Sequence, residues 1–287
     1  MIDVLAERIQ HEYSLPPPEV WPSRLTQEEF TKIRDECQEI SQFDEANLRK
    51  IMFERAFYKR DAIYKVYQSP QAKIIAVFDT PEQEQQVPWD MWWRTLRMFY
   101  RGRPFTIVFL AHPMKRKAPA KHMPFQPVHI NGGYTYPCNT NFVCVYRAED
   151  ATRVLIHELF HASCSDTMAD GIDVVEAKTE AWAELIYAGC LAHGGRPDMM
   201  KNIRRQSDWM RTQNAIIKHH HMVSKGEDKH EFPWKYTIGK EQIWRTWDIY
   251  RPSPGNKKYW NGSVRLTPVP TALQKQLEHV SQDSTIL

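Results

Sequence analysis

Hydrophobic and polar positions follow two different periods along this chain, which predicts a mixture of helices and strands. Residues 1–13 and a segment from Thr26 to about Ile40 carry apolar side chains three and four positions apart, as amphipathic helices do, and Thr26 opens a capping box with Glu29. A further helix is predicted over about 44–67. The pattern then changes to short apolar runs at Lys73–Phe78 and Phe105–Ala111, which are typical of buried strands.

The middle of the chain adds a helix rich in tryptophan and a predicted hairpin. Pro88–Tyr100 has its aromatic residues at helical spacing. Val128–Tyr136 and Asn141–Tyr146 are predicted strands, with Gly132-Gly133 as the turn signal between them. Further helices are predicted over about 150–164, 174–188, 198–221 and 240–250. The order of elements predicts an α+β fold with a small mixed sheet between about 73 and 146.

The most specific chemical signal is the run His157-Glu-Leu-Phe-His161. Residues four apart share one face of a helix, so both imidazoles can reach one zinc ion at about 2.0–2.1 Å. Glu158 lies about 100° round the helix, close enough to act on a water at the metal without being a ligand. Asp150, just before the helix, is predicted to be its N-cap.

A second helix carries Glu176, Glu180 and Glu184, four residues apart and surrounded by apolar side chains. Burying an unpaired carboxylate is costly, and a divalent cation is a suitable partner. We predict that Glu180 is the third zinc ligand and that Glu184 orients a ligating histidine. Two histidines and one glutamate leave a coordination position open, which is typical of catalytic rather than structural zinc sites.

On His157, Glu158, His161 and Glu180, the last within Thr179-Glu-Ala-Trp-Ala-Glu184, the chain resembles the gluzincin branch of the zincin metallopeptidases. The resemblance covers about 128–190. It implies a zincin-like fold, one Zn²⁺ ion, and hydrolysis of a peptide or protein substrate by a metal-activated water with Glu158 as general base. The Gly-x-Met-Glu-Asn run that holds the substrate amine in gluzincin aminopeptidases is absent, so an endopeptidase or processing enzyme is expected.

The resemblance also divides the chain into three parts and raises the question of the oxyanion donor. A helical N-terminal region (1–72) would precede a zincin-like metallopeptidase domain (73–250) and a Pro-rich tail (251–287).

Tyr236 is the first candidate for the hydrogen-bond donor to the oxyanion, because it follows both metal helices in an aromatic loop. His230 and the run His219-His220-His221 are alternatives.

Strand 141–146 directly precedes the metal helix, the position in which zincin-type enzymes place an edge strand. An extended substrate would pair with such a strand. The alternative is an ordinary core hairpin with no contact to substrate.

Composition limits the compartment and the partners. The chain is 42% hydrophobic and 25% charged, which is typical of a soluble globular protein, and its net charge of +3 is too small to favour nucleic acid as a partner. The N-terminus has no signal-peptide pattern and no apolar run is long enough to span a membrane, so a cytoplasmic protein without a membrane partner is expected. Five scattered cysteines predict reduced thiols, although Cys138 and Cys144 could pair across the hairpin.

Two other functions fit the same residues. The chain could be a catalytically silent zincin-like scaffold that binds a metal or a protein partner within an assembly, which its aromatic and Pro-rich segments leave open. It could also be a metal-dependent hydrolase acting on something other than a peptide. Glu158 beside both histidines favours an enzyme, because a scaffold needs no general base.

Overall fold

A six-stranded mixed sheet with strand order β1-β2-β3-β4-β6-β5 lies at the centre of the fold. The structure, a computed structural model, describes residues 1–120, 123–166, 171–220, 234–254 and 263–268. β3, β4 and β6 are parallel, while β2 and β5 run antiparallel to their neighbours. The strands are β1 (Trp21–Pro22), β2 (Ile63–Gln68), β3 (Ala72–Phe78), β4 (Phe105–Ala111), β5 (Gly133–Thr135) and β6 (Val143–Val145).

Helices cover both faces of the sheet, which explains why the central strands are almost wholly apolar. Ile74 and Phe109 face α5, α7 and α8, whereas Ile75 and Val108 face α2 and α3. π-helical turns follow α3 at Arg55–Lys59 and precede α10 at Trp234–Ile238. The helices are α1 (Ile2–Ser14), α2 (Gln27–Gln38), α3 (Leu48–Glu54), α4 (Pro81–Gln86), α5 (Trp89–Phe99), α6 (Pro127–Ile130), α7 (Ala151–Ala162), α8 (Ile172–Leu191), α9 (Arg196–His220) and α10 (Gly239–Thr246).

The α+β class, the mixed sheet and most elements agree with the sequence patterns. The capping box of α2 forms as predicted, with Thr26 Oγ1 accepting from the Glu29 amide at 3.2 Å and the Glu29 carboxylate accepting from the Thr26 amide at 2.8 Å. β3, β4, α5, α7 and α8 lie where periodicity places them.

The predicted helix over 44–67 is wrong in its second half. α3 and its π-helical turn end at Lys59, and Ile63–Gln68 forms β2 instead. These residues pair antiparallel with β3 along the whole strand, so sheet pairing outweighs local helical periodicity. β1 and β2 therefore belong to the central sheet although they lie within the predicted helical region 1–72.

The predicted hairpin also differs in detail. Val128 lies in the short helix α6, and Gly133 begins β5 rather than forming a turn. The chain reverses over 136–142, after which β6 pairs with β4 on one side and β5 on the other. The predicted edge strand at 141–146 is therefore wrong, because β6 is an internal strand and β5 is the edge in the described part of the sheet.

A disulfide joins the hairpin loop to the end of α7, which corrects the expectation that all cysteines are reduced thiols. Cys138 and Cys164 are both exposed and form this bond, with their Cα atoms 4.7 Å apart. Both backbone amides donate to the carbonyl of His161, at 2.9 and 3.2 Å. Cys37, Cys144 and Cys190 are free and buried.

Within the described ranges, no helix has both the length and the hydropathy that crossing a bilayer requires.

Candidate metal centre

α7 is almost completely buried, which fixes the direction of its polar side chains. Leu155, Ile156 and Leu159 pack into the core against the sheet, and among the residues of α7 only Phe160 is partly exposed. Asp150 occupies the N-cap position of α7, as predicted, with φ 58°, but its carboxylate does not make the predicted capping hydrogen bond. Its carboxylate instead accepts from Arg265 Nη2 and the Leu266 amide, both at 2.9 Å.

His157, His161 and Glu176 converge on one point between α7 and α8. The two Nε2 atoms are 3.0 Å apart. Glu176 places one carboxylate oxygen 3.3 Å from His157 Nε2 and the other 3.6 Å from His161 Nε2. Among the described residues, this is the group of histidine, cysteine and acidic side chains with ligand atoms close enough to share one metal ion.

The three groups are close enough to share one ion. Ligand atoms at about 2.0–2.2 Å from a tetrahedral zinc lie roughly 3.3–3.6 Å from one another. The Nε2 atoms, at 3.0 Å, are somewhat closer than that, and the 3.3 and 3.6 Å contacts are made by different oxygens of Glu176, one to each histidine. Two imidazole nitrogens and one carboxylate are also a donor set that zinc favours.

The carboxylate that lies against both Nε2 atoms is that of Glu176, whereas Glu180, the predicted third ligand, lies elsewhere. Glu180 Oε1 lies 3.0 Å from His157 Nδ1, the ring nitrogen on the far side from the convergence point. The same oxygen accepts from Arg153 Nη1 at 2.8 Å. Glu180 therefore lies behind His157, but His157 Nδ1 has no hydrogen-bond partner among the described residues, so this contact is one of charge and not a hydrogen bond.

Asp166 has the corresponding position beside the second histidine. Its carboxylate lies 2.5 Å from His161 Nδ1. Each histidine thus has a carboxylate beside Nδ1 and directs Nε2 towards Glu176, but of the two Nδ1 contacts only the one with Asp166 is a hydrogen bond, the interaction that fixes ring orientation in metal sites.

Glu184 faces Arg153 and Lys240 rather than a histidine. Arg153 Nε lies 3.2 Å from Glu184 Oε1, and Lys240 Nζ donates to the same oxygen at 2.7 Å. All three side chains are buried. Glu184 therefore balances two buried cations behind the site, and its predicted contact with a ligating histidine is not formed.

α7 and α8 form a ladder of facing side chains. The two helices run antiparallel, so that His161 faces Glu176, His157 faces Glu180, and Arg153 faces Glu184. Each helix presents residues four apart, so three consecutive turns of each helix meet one another. The four-residue spacing of the glutamates was visible in the sequence, but Arg153, four residues before His157, was missed as the continuation of the facing stripe.

The acid–base properties of the site follow from burial and from this pairing. Burial lowers the pKa of His157 to about 4, which keeps its imidazole neutral near pH 7. Burial also acts to lower the pKa of His161, but hydrogen bonds with Asp166 and Glu176 outweigh it and raise that pKa to about 10. A proton on His161 and a cation between the Nε2 atoms therefore compete for the Glu176 carboxylate.

Glu158 lies in the same cleft, beside β5. Burial raises the pKa of its carboxyl group to about 8. A Cβ atom on Gly133 would lie 3.1 Å from Glu158 Oε1 and 2.5 Å from a methyl group of Val154, so glycine is needed for the strand to approach the helix this closely. The cleft has a volume of about 210 Å³ and is also lined by Tyr134.

Tyr236 lines this cleft together with both histidines, as its predicted role requires. Burial, followed by the nearby Glu176 and Glu158 carboxylates, holds the pKa of its phenol well above the usual range. Tyr236 is therefore a neutral hydroxyl at any physiological pH. Of the alternatives, His221 and His230 and the side chains of His219 and His220 lie outside the described residues.

No protein-family model, curated protein or solved structure matches this chain. The assignment of the site therefore depends on the side chains themselves: two imidazole nitrogens and a carboxylate in contact, with Glu158 in the same cleft.

Proposed function

We propose that the protein is a zinc-dependent metallopeptidase in which His157, His161 and Glu176 hold the ion and Glu158 is the general base. The observation that supports this most strongly is the approach of two Nε2 atoms and one carboxylate to within 3.0–3.6 Å of one another. A structural zinc site has four protein ligands, whereas three leave room for a reacting group.

Within this proposal, each residue around the ion has a separate task. Zinc held there would supply a water of lowered pKa and polarise a carbonyl group. Glu158 takes a proton from the attacking water and passes it to the leaving amine, first as general base and then as general acid. Asp166 holds the His161 ring by a hydrogen bond at Nδ1, and the Glu180 carboxylate lies behind the His157 ring.

The outer edge of β5, which has no pairing strand in the described part of the chain, is the proposed place for an extended peptide. Gly133 and Tyr134 belong to this edge strand and line the cleft that contains Glu158. A peptide added beside β5 would form main-chain hydrogen bonds and bring a carbonyl carbon next to the base. Tyr236 then donates to the developing oxyanion, because its neutral hydroxyl lies in the same cleft.

The test is metal content combined with peptide cleavage by the full chain. Protein purified without chelator should contain about one zinc per chain by mass spectrometry and should cleave members of a quenched fluorescent peptide library. Glu158→Gln should retain the zinc and lose activity by about 10²–10⁴-fold, as expected for removal of a general base. Glu28→Gln, the same change at an exposed glutamate on α2, should leave both measurements unchanged.

Other results would replace the proposal with one of its rivals. Zinc binding without any peptide cleavage, and no effect of Glu158→Gln, would indicate a scaffold. Cleavage confined to small esters or amides would indicate a hydrolase with another substrate class. Purified protein that neither contains zinc nor takes it up would overturn the metal centre itself.

A further inference from the structure

A second cavity lies on the other side of the α7–α8 pair and shares no lining residue with the cleft that contains Glu158. We name it the rear cavity. Its volume of about 430 Å³ is within the range of small-molecule sites in proteins. Its apolar wall is formed by Leu5, Ile9, Met98, Phe99, Phe160 and Trp182.

The apolar wall is recessed rather than protruding. Ile9 and Phe99 are buried, and the other four wall residues are only partly exposed. Phe99 and Phe160 pack edge to face with ring centroids 5.0 Å apart, so part of the wall is already rigid. A flat protein surface could not reach such a wall, whereas a narrow aliphatic chain could.

The charged residues of the rear cavity are mainly cationic. Arg8 and Arg101 are exposed at its mouth, and Lys178 lies deeper and half-buried. Arg101 Nη1 donates to the carbonyls of Met98 and Tyr100, which holds the guanidinium next to the wall. The single acidic lining residue, Asp166, already lies 2.5 Å from His161 Nδ1.

We propose that the rear cavity binds an amphipathic monoanion of the fatty-acid class. The alkyl chain would lie against the apolar wall, and the carboxylate would meet Arg8 and Arg101 at the mouth. Apolar area would supply most of the affinity, and the two arginines would supply selectivity for an anion over a cation. The rear cavity shares no lining residue with the cleft, and although its lining residue Asp166 contacts His161, neither Asp166 nor the zinc ion has a role in binding the proposed anion.

Calorimetry on the full chain tests the proposal with two probes of equal chain length, dodecanoate and dodecyltrimethylammonium, both below their micellar concentrations. We expect dodecanoate to bind one molecule per chain, and the cationic probe to bind at least about 10-fold more weakly. The double charge reversal Arg8→Glu/Arg101→Glu should lower dodecanoate affinity by about 10-fold, because both changed residues are exposed and repel the carboxylate. Arg24→Glu, at an exposed arginine away from the cavity, should not change it.

Three outcomes would overturn the proposal. They are no dodecanoate binding, equal affinity for the two probes, and binding that the double reversal leaves unchanged. Hydrogen exchange locates the site independently of any variant. Dodecanoate should slow exchange in α1 and α5, and protection confined to other elements would also reject the rear cavity. Zinc content and peptide cleavage do not enter either measurement, so this proposal can fail while the peptidase proposal stands.

Discussion

Glu176 and Glu180 are chemically identical, and their different surroundings make Glu176 the proposed ligand and Glu180 a carboxylate behind the site. Glu176 lies against the Nε2 atoms of both histidines, where a cation would replace their hydrogen bonds. Glu180 lies against His157 Nδ1 and Arg153, so its charge is already balanced. Helical spacing places both carboxylates on one face, but the axial offset between α7 and α8 decides which one reaches Nε2. That axial offset depends on packing across the whole core, which the spacing of residues does not show. Spacing alone therefore predicted Glu180 as the ligand.

We expect Glu176→Gln to weaken zinc binding by more than about 100-fold. Glu180→Gln should weaken it by about 10–100-fold, the usual cost of losing an outer partner of a ligating histidine. Competition with a chromogenic chelator measures both dissociation constants. Glu28→Gln on α2 is the matched control and should match the wild type. A larger effect from Glu180→Gln than from Glu176→Gln would restore Glu180 as the ligand.

Asp150 is another residue whose role depends on its surroundings, and here that role is in stability. Its buried carboxylate accepts from Arg265, Leu266 and Thr267. Burial acts to raise its pKa, but the charges of Arg265 and Arg116, with these hydrogen bonds, outweigh burial and lower it. This network could not be predicted from local sequence, because Arg265, Leu266 and Thr267 lie more than a hundred residues further along the chain.

We therefore expect Asp150→Asn to lower the free energy of unfolding by about 3 kcal/mol at pH 7. The folded pKa of Asp150 lies below the unfolded value of about 3.9, so its contribution is complete above that value and is lost as pH falls through the folded pKa. Urea unfolding at pH 7, 5 and 3 should show the difference between wild type and variant shrinking at the lowest pH. Asp35→Asn, at an exposed site, should change stability by less than about 0.5 kcal/mol at any pH. A difference that is constant with pH would contradict this assignment.

At the scale of secondary-structure elements, local sequence patterns correctly predict those elements whose structure depends mainly on their own residues. The capping box of α2 and the apolar runs of β3 and β4 are such cases. Local patterns fail where pairing with another strand decides the structure, as in β2, which was predicted to be part of a helix from its periodicity. β5 was missed as the edge for the same reason, because only the strand order identifies an edge.

The disulfide between Cys138 and Cys164 depends on how the fold places the hairpin loop beside the end of α7. It closes a loop over a sequence separation of 26, for which chain entropy gives a stabilisation of about 3.5 kcal/mol. We expect a thiol-free reductant to lower the thermal midpoint of the wild type. The double variant Cys138→Ser/Cys164→Ser should have that lower midpoint already and should not respond to the reductant.

Thiol labelling gives an independent check on the disulfide. Native protein without reductant should label slowly, because Cys37, Cys144 and Cys190 are buried. Reduction should add two fast-reacting thiols, since Cys138 and Cys164 are exposed. Fast labelling of two cysteines before reduction would show that the bond is not formed in solution.

At the scale of the whole molecule, the last described segment links distant parts of the fold. Residues 263–268 lie between the start of α7 and the side of α9. Gln206 and Trp209 of α9 donate to the carbonyls of Leu266 and Arg265, both at 2.9 Å. Asp150 accepts from the other side of the same segment. The segment therefore connects the start of the metal helix to α9, although the sequence pattern showed only a Pro-rich tail.

Two truncations separate the effect of this segment from that of the residues after it. A chain ending at 268 retains every described partner of Asp150, and we expect its free energy of unfolding to stay close to that of the full chain. A chain ending at 262 loses Arg265, Leu266 and Thr267 and should be less stable by at least about 3 kcal/mol, because a buried carboxylate is left with Arg116 alone, at 3.5 Å.

Combining the truncations with Asp150→Asn provides the decisive comparison. In the chain ending at 268 the substitution should cost about 3 kcal/mol, as it does in the full chain. In the chain ending at 262 it should cost much less, because the partners of the carboxylate have already been removed and the two changes act on the same contacts. Urea unfolding of the four proteins measures this coupling. Additive losses would show that the segment stabilises the molecule through α9 and not through Asp150.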